Sequence, residues 1–405
     1  MVSEEFYRRN IFRRAGKGLG GAGDMKVLMI NSVCGIRSTG RICTDLAEVL
    51  EKEGHICKIA YGRESVPEKY RKYAVRIGSD LGVKMHAGLS RIFDDAGFHS
   101  RFATRKFIRW VKAYDPDVIH LHNIHGYYLN IEILFDYLRT CGKKIIWTLH
   151  DCWAFTGHCP YFTYVGCEKW KTQCGHCVQK RGYPKSIFLD RSRQNFERKK
   201  KLFTGIPNLT LVTPSKWLAG LVKESFLKEH PVEVIHNGID LTVFKPTPSD
   251  FRQRYHLEDK KVILGVASVW DRRKGFDDFL DLAKHLDDSY RIVLVGVNEE
   301  QQKILPKNII GIGRTNSTKE LAEIYTAADV FFNPTHEDNY PTVNLEAQAC
   351  GTPVITYPTG GSVESVPEEN VLAINEVNQA IEKRCLQCRQ VDGQERISEY
   401  IKIYR

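Results

Sequence analysis

The sequence predicts an α/β protein of two Rossmann-like, doubly wound domains that face a central cleft. Three observations predict it. From Met25 onward, short apolar runs alternate with longer amphipathic stretches, the pattern of parallel strands buried between helices. The alternation breaks at a polar, proline-containing stretch around Lys245 to Asp250 and then starts again. The residues best suited to chemistry follow the apolar runs, where open parallel sheets bind their ligands.

Residues 1–24, with Arg8, Arg9, Arg13 and Arg14 ahead of a glycine-rich run, read as a flexible leader. A first domain is expected over 25–235, with strands at Val27 to Asn31, Ile56 to Ala60, Val118 to His122, Ile145 to Leu149 and Leu209 to Thr213. Its clearest helix runs from Arg41 to Glu53 and is ended by Gly54. A cysteine-rich insert occupies 152–185, and 236–259 reads as a hinge. The second domain, 260–385, carries strands at Val262 to Ala267, Ile292 to Val295, Ile309 to Ile312, Val330 to Asn333 and Val354 to Thr356. Residues 386–405 are expected to hold a helix, from about Glu395 to Tyr404, that returns to the first domain.

Composition narrows the class. At 405 residues, with 42% apolar and 27% charged residues, the chain has the length for two ordinary cores and the balance of a soluble globular protein. No run approaches the roughly 18 to 20 apolar residues of a membrane span, and the N-terminus lacks a secretory apolar core, so a cytoplasmic protein is expected. Twelve cysteines in that compartment read as thiols, not as a disulfide framework. The net charge of +10 suits phosphorylated substrates, an anionic membrane surface or nucleic acid. The last is set aside, because neither a basic-aromatic platform for single strands nor a helix-turn-helix pattern is present.

The most informative segment follows the Val330 to Asn333 run: Pro334-Thr335-His336-Glu337-Asp338-Asn339-Tyr340-Pro341-Thr342-Val343-Asn344-Leu345-Glu346. Pro341 suits a first helical turn, where its missing N–H costs nothing, and leaves the amides of Thr342 and Val343 open to an anion. A turn further on, Glu346 is placed to accept hydrogen bonds from the vicinal hydroxyls of a ribose, with Asp338 toward the far side of the phosphates. The plainer alternative is a helix-capping Asp338 and a solvent-facing Glu346. A second cluster, Arg272-Arg273-Lys274-Gly275, directly follows the Val262 to Ala267 strand, where cations stabilise a departing anion or form a solvated charge run. Ser38-Thr39-Gly40-Arg41 reads as a strand-to-helix turn with amides at a positive helix end, although one glycine is also what a plain turn would use. Gly296 and Gly360-Gly361 are strand-end positions of the same kind.

The Asp338-x7-Glu346 segment resembles the acid-x7-acid signature of glycosyltransferase family 4, and the similarity extends over nearly the whole chain after Met25. Within the family it is most similar to bacterial colanic-acid and capsular polysaccharide enzymes. The resemblance implies the GT-B fold and retaining transfer of a sugar from a nucleotide-diphosphate donor, without a metal cofactor, to a saccharide or polyprenyl-linked acceptor. It implies that Lys274 binds the diphosphate, that His150 contacts the transferred sugar and that Gly40 belongs to the first glycine-rich loop. It also gives donor-binding roles to Gly296, Asp338, Pro341, Thr342, Val343 and Glu346. Two departures stand out. The family's first acid is usually Glu, and its arginine five residues before the lysine is here Val269, so Arg272 or Arg273 would have to stand in. A sugar-nucleotide epimerase, a phosphorylase or a silent sugar-nucleotide binder would share much of this pattern.

Other residues carry less. His120, His122 and His125 line a strand end and suit either an acceptor or core satisfaction, while Asp115-Pro116-Asp117 precedes its strand and reads as a turn, not a metal-binding Asp-x-Asp. Cys159, Cys167, Cys174 and Cys177 suit either a structural zinc or packed reduced thiols. Basic faces at Arg101 to Lys112 and Glu197 to Lys201 suit peripheral contact with the inner face of the cell membrane, or plain solvent.

Overall fold

The computed structural model describes residues 24–372, 376, 388 and 395–404; the leader up to residue 23 and most of 373–394 lie outside them. Twelve strands form two parallel sheets among the described residues. The first contains β1 (Lys26–Ile30), β2 (Ile56–Tyr61), β3 (Ala74–Arg76), β4 (Val118–Leu121), β5 (Lys144–Thr148), β6 (Leu209–Thr213) and β7 (Val232–Val234), in the order β3-β2-β1-β4-β5-β6-β7. The second contains β8 (Lys261–Val266), β9 (Tyr290–Val295), β10 (Ile309–Ile312), β11 (Val330–Asn333) and β12 (Val354–Thr356), in the order β10-β9-β8-β11-β12. The chain is therefore α/β with two doubly wound sheets, as expected.

Successive residues of a strand face opposite sides, so each sheet needs cover on both faces. Val27 and Met29 of β1 pack into one core and Leu28 and Ile30 into another. Across the second sheet Val262 and Leu264 of β8 face one core and Ile263 the other. The Glu395–Tyr404 helix belongs to the first domain's core, where Ile397, Tyr400, Ile401 and Tyr404 are buried.

Strand order reverses between β1 and β4 and again between β8 and β11. Helices on the two sides of such a point run to opposite faces, which opens a crevice beyond the carboxyl ends of the strands. The two crevices face one another, and the residues singled out above gather there.

β3 and β7 were not expected. Both are three-residue edge strands without a fully buried residue, so they lack the apolar run that marks the interior strands.

Candidate active site

On the second-sheet side, the 334–341 loop is gripped by glycines. A Cβ on Gly275 would lie 2.3 Å from the Pro334 carbonyl oxygen, and one on Gly360 would lie 2.2 Å from that of Asp338. Both also have positive φ, at +77° and +53°. Backbone passes too close here for any side chain. The grip brings Lys274 Nζ into an ion pair with Asp338 Oδ2, largely shielded from solvent.

The Thr342–Ala349 helix starts at once after this loop, with Pro341 as its N-cap (φ −72°, ψ 115°). Thr342 and Val343 are its first two residues, whose amides have no carbonyl one turn earlier to bond. Glu346 is buried one turn in; its Oε2 accepts from the Tyr325 hydroxyl at 3.1 Å and its Oε1 lies 3.7 Å from Arg41 Nη2 of the other domain. Burial raises the Glu346 pKa, with Arg41 and Tyr325 opposing. Glu346, Thr342, Arg41, Ser38, Gly35 and Tyr70 line a cleft of about 230 Å³ shared by both domains.

On the first-sheet side, His122 and His150 follow β4 and β5. Their rings stack, with His122 Nδ1 and His150 Nε2 sharing a hydrogen bond of 3.0 Å. Burial lowers the His150 pKa to about 4 and takes that of His122 well below its usual value. His122 Nε2 is buried without a partner. His120 belongs to the core: its nitrogens bond the Tyr404 hydroxyl at 2.6 Å and Thr148 Oγ1 at 2.7 Å. His125 is held by Asp151 at 2.8 Å and Tyr183 at 3.1 Å.

The two sides are latched together beside these residues. Asn339 Nδ2 donates to the His150 carbonyl oxygen at 2.6 Å. Glu337 Oε1 accepts from the Phe162 and Thr163 amides at 2.8 and 2.5 Å and from Thr163 Oγ1 at 2.6 Å. Arg273 donates to the Glu337 carbonyl oxygen at 2.9 Å and lies over the Tyr161 ring at 4.5 Å.

Several expectations change. The first-domain helix begins at Arg37, not Arg41, because the sharp turn comes at Gly35, with φ +73°. Gly40 is then inside the first helical turn, where Val33 packs 3.0 Å from the position of a Cβ. Gly296 is required by the fold itself, since a Cβ there would lie 1.7 Å from the Ala267 carbonyl oxygen at the end of β8. Neither arginine joins Lys274 at Asp338 among the described residues: Arg273 is engaged in the latch, and Arg272 is exposed near Asp277 at 3.4 Å. Val269, at the family's arginine position, is 68% exposed.

Residues 39–243 match the family model Glycosyltransferase Family 4, and residues 248–388 match Glycosyl transferases group 1. The chain belongs to glycosyltransferase family 4. This glycosyltransferase is 25% identical to WcaC of Escherichia coli K12, described as a colanic acid biosynthesis glycosyl transferase, over 94% of the chain and 100% of that protein. In fold it is similar to sucrose-phosphate synthase from Thermosynechococcus elongatus, with a TM-score of 0.64 and 17% identity over 94% of this chain and 96% of that one. It is also similar to HepE from Anabaena in complex with UDP and glucose, with a TM-score of 0.58 and 16% identity over 94% of each chain.

In this glycosyltransferase the cysteine insert packs on the core of the first domain. Cys159 is buried, with Cys167, Cys174 and Cys177 packed against the same core, and Cys174 Sγ accepts from the Gly157 amide at 3.2 Å. All four are free thiols, and among the described residues no group of three or more His, Cys, Asp or Glu is placed to hold a metal ion. Asp115 and Asp117 are used in a turn: Asp117 Oδ2 accepts from the Lys26 amide at 2.7 Å and Asp115 pairs with Lys143. No described helix is long and apolar enough to cross a membrane. Lys199, placed with the basic face at Glu197 to Lys201, is buried, and its Nζ donates to the carbonyls of Trp153 and Thr156 at 2.8 and 3.1 Å. Sequence reasoning missed the parts played by Glu337 and Asn339, although both lie inside the segment it singled out.

Proposed function

We propose that this glycosyltransferase moves a sugar, with retention of anomeric configuration, from a nucleotide-diphosphate donor to a growing saccharide carried on a polyprenyl lipid at the inner face of the cell membrane. The observation that carries this reading is the Lys274–Asp338 pair standing beside the start of the Thr342–Ala349 helix, with Glu346 one turn further in. In the transfer, the bond between the anomeric carbon and the diphosphate oxygen breaks, a bond from the acceptor hydroxyl oxygen to that carbon forms, and the hydroxyl proton is released. The leaving diphosphate gains negative charge. Lys274 and the amides of Thr342 and Val343 answer that charge with a fixed cation and a helix N-terminus, so the chain needs no metal for this step.

Glu346, buried at the cleft wall, takes the ribose hydroxyls, and His150 faces the transferred sugar as an uncharged hydrogen-bonding group. The nucleotide donor is further supported by the fold's likeness to HepE, whose structure contains UDP and glucose. A saccharide acceptor is supported by the likeness to WcaC, described by its part in colanic acid biosynthesis.

The test is incubation with a panel of uridine- and guanosine-diphosphate sugars and a lipid-linked acceptor extract, with and without chelator, reading free nucleotide and glycosylated product. Chelator-resistant, donor-specific transfer with retained anomeric configuration supports the proposal. Transfer abolished by chelator, or an inverted product, overturns it.

A further inference from the structure

The Asp80–Phe93 helix is built inside out. Its fully buried residues are polar, His86 and Ser90, whereas Leu81, Met85, Leu89, Ile92 and Phe93 lie on its exposed side. Leu81 is 68% and Met85 60% exposed. The spacing, four, four and three or four residues, makes this one continuous stripe along the helix. Single exposed apolar residues are ordinary on a protein surface, but an apolar stripe turned outward while polar side chains are turned inward is not.

The inward contacts are specific. His86 Nδ1 bonds Ser100 Oγ at 2.8 Å, and its Nε2 accepts from the Gly97 amide at 3.1 Å. The helix is therefore fixed in the orientation that exposes its stripe. A second apolar segment, Ile187-Phe188-Leu189, extends the surface; Phe188 is 69% exposed, and the Ile187 amide donates to the Arg91 carbonyl oxygen at 2.7 Å.

Cations border the patch. Lys84 and Arg91 sit one above the other along one edge of the stripe, two turns apart, and both are exposed. Arg191 lies over the Phe93 ring at 5.6 Å, and Lys180 Nζ donates to the Phe188 carbonyl oxygen at 3.3 Å. Apolar side chains that enter an acyl boundary, edged by cations at headgroup level, match an anionic bilayer surface.

We infer that the face formed by the Asp80–Phe93 helix and residues 187–189 docks this glycosyltransferase on an anionic lipid surface. The inference deepens the acceptor reading and rests on it for its purpose. Tyr183, four residues before Ile187, bonds His125 beside Asp151 through its hydroxyl, so the docking face and the first-sheet side of the cleft share one loop. An acceptor anchored in the bilayer would be presented to that side. The Arg101–Tyr114 helix is a different case: it exposes a single large apolar residue, Phe102, with Arg105 and Lys106, and buries Phe107, Ile108 and Val111, so it carries no apolar stripe.

The test is co-sedimentation of the full chain with vesicles of phosphatidylcholine alone and of phosphatidylcholine mixed with phosphatidylglycerol, with nucleotide binding measured in parallel. Binding to the mixed vesicles, weakened by salt, is expected. The paired change Met85→Glu with Phe188→Glu should weaken it about tenfold or more, with nucleotide binding retained, while Arg105→Glu with Lys106→Glu leaves most of it. Leu81→Glu serves as a second, independent variant. No vesicle binding by the wild type, or unchanged binding after both stripe variants, overturns the inference. Self-association without vesicles that Met85→Glu abolishes also overturns it, in favour of a second copy of the chain. Vesicle binding without any sugar transfer would leave the docking face standing and remove only the transfer reading.

Discussion

The two walls of the cleft are built on the same kind of strand end but differ in what stands just beyond the strands. The second-sheet wall presents charges, Lys274 against Asp338, with Glu346 facing Arg41 across the gap. The first-sheet wall presents His122 and His150, which burial keeps uncharged near neutral pH. Under the proposed function the contrast is a division of labour: fixed charge for the diphosphate, and neutral hydrogen-bonding groups for a sugar, which carries no charge.

The largest effect should come from the charged wall. Lys274→Ala is expected to lower kcat/KM by about 10² to 10³ in the transfer assay, the scale of losing one preorganised electrostatic contact in a transition state. A loss of only a few fold, or one matched by His122→Asn, would erase the distinction between the walls. Next comes the latch. Glu337→Ala leaves the Phe162 and Thr163 amides without their acceptor and should cost about 2 to 3 kcal/mol in denaturant unfolding. Equal stability would show that the walls are held together elsewhere.

Glu346→Gln should weaken nucleotide binding about tenfold by calorimetry, since it removes a charge from an acceptor but keeps its shape. The neutral wall carries a pH effect of its own. The His150 pKa falls from 6.5 to about 4 on folding, so the folded state prefers its uncharged form. The stability this contributes is complete above about pH 6.5 and is lost as pH falls toward 4, by no more than about 1.4 kcal/mol per pH unit. A His150 proton titration by nuclear magnetic resonance with its midpoint near 6.5 would refute the neutral wall.

Much of this was legible in the sequence, for reasons that differ by element. Interior strands such as β4 and β11 are buried at every position and therefore read as mainly apolar runs, interrupted only by His120 and Asn333. β3 and β7, at the sheet edge, do not. Lys274, Asp338 and Glu346 could be picked out because acids and cations just beyond apolar runs are conspicuous. Glu337 was conspicuous too, but its partners are backbone amides of a distant insert, which no local pattern announces. Lys199 was misplaced for a subtler reason. Charge alone set it with its basic neighbours, yet helical spacing puts it in line with Ser192, Asn195, Phe196 and Phe203, all buried. The first-domain glycines misled because the tight turn uses Gly35, and Gly40 had looked like its natural site.

The returning helix has a mechanical consequence. The chain joins the two domains once around residues 235–260 and again on its way to Glu395–Tyr404, where Tyr404 bonds His120, Tyr400 bonds Thr148, and Arg396 bonds both Gly238 and Asp45. The second attachment also ends on β4 and β5, the strands that carry His122 and His150. The floor of the histidine wall and the turn at Gly238 between the domains are thereby tied to one helix, and a truncation of the last ten residues would loosen both in one stroke.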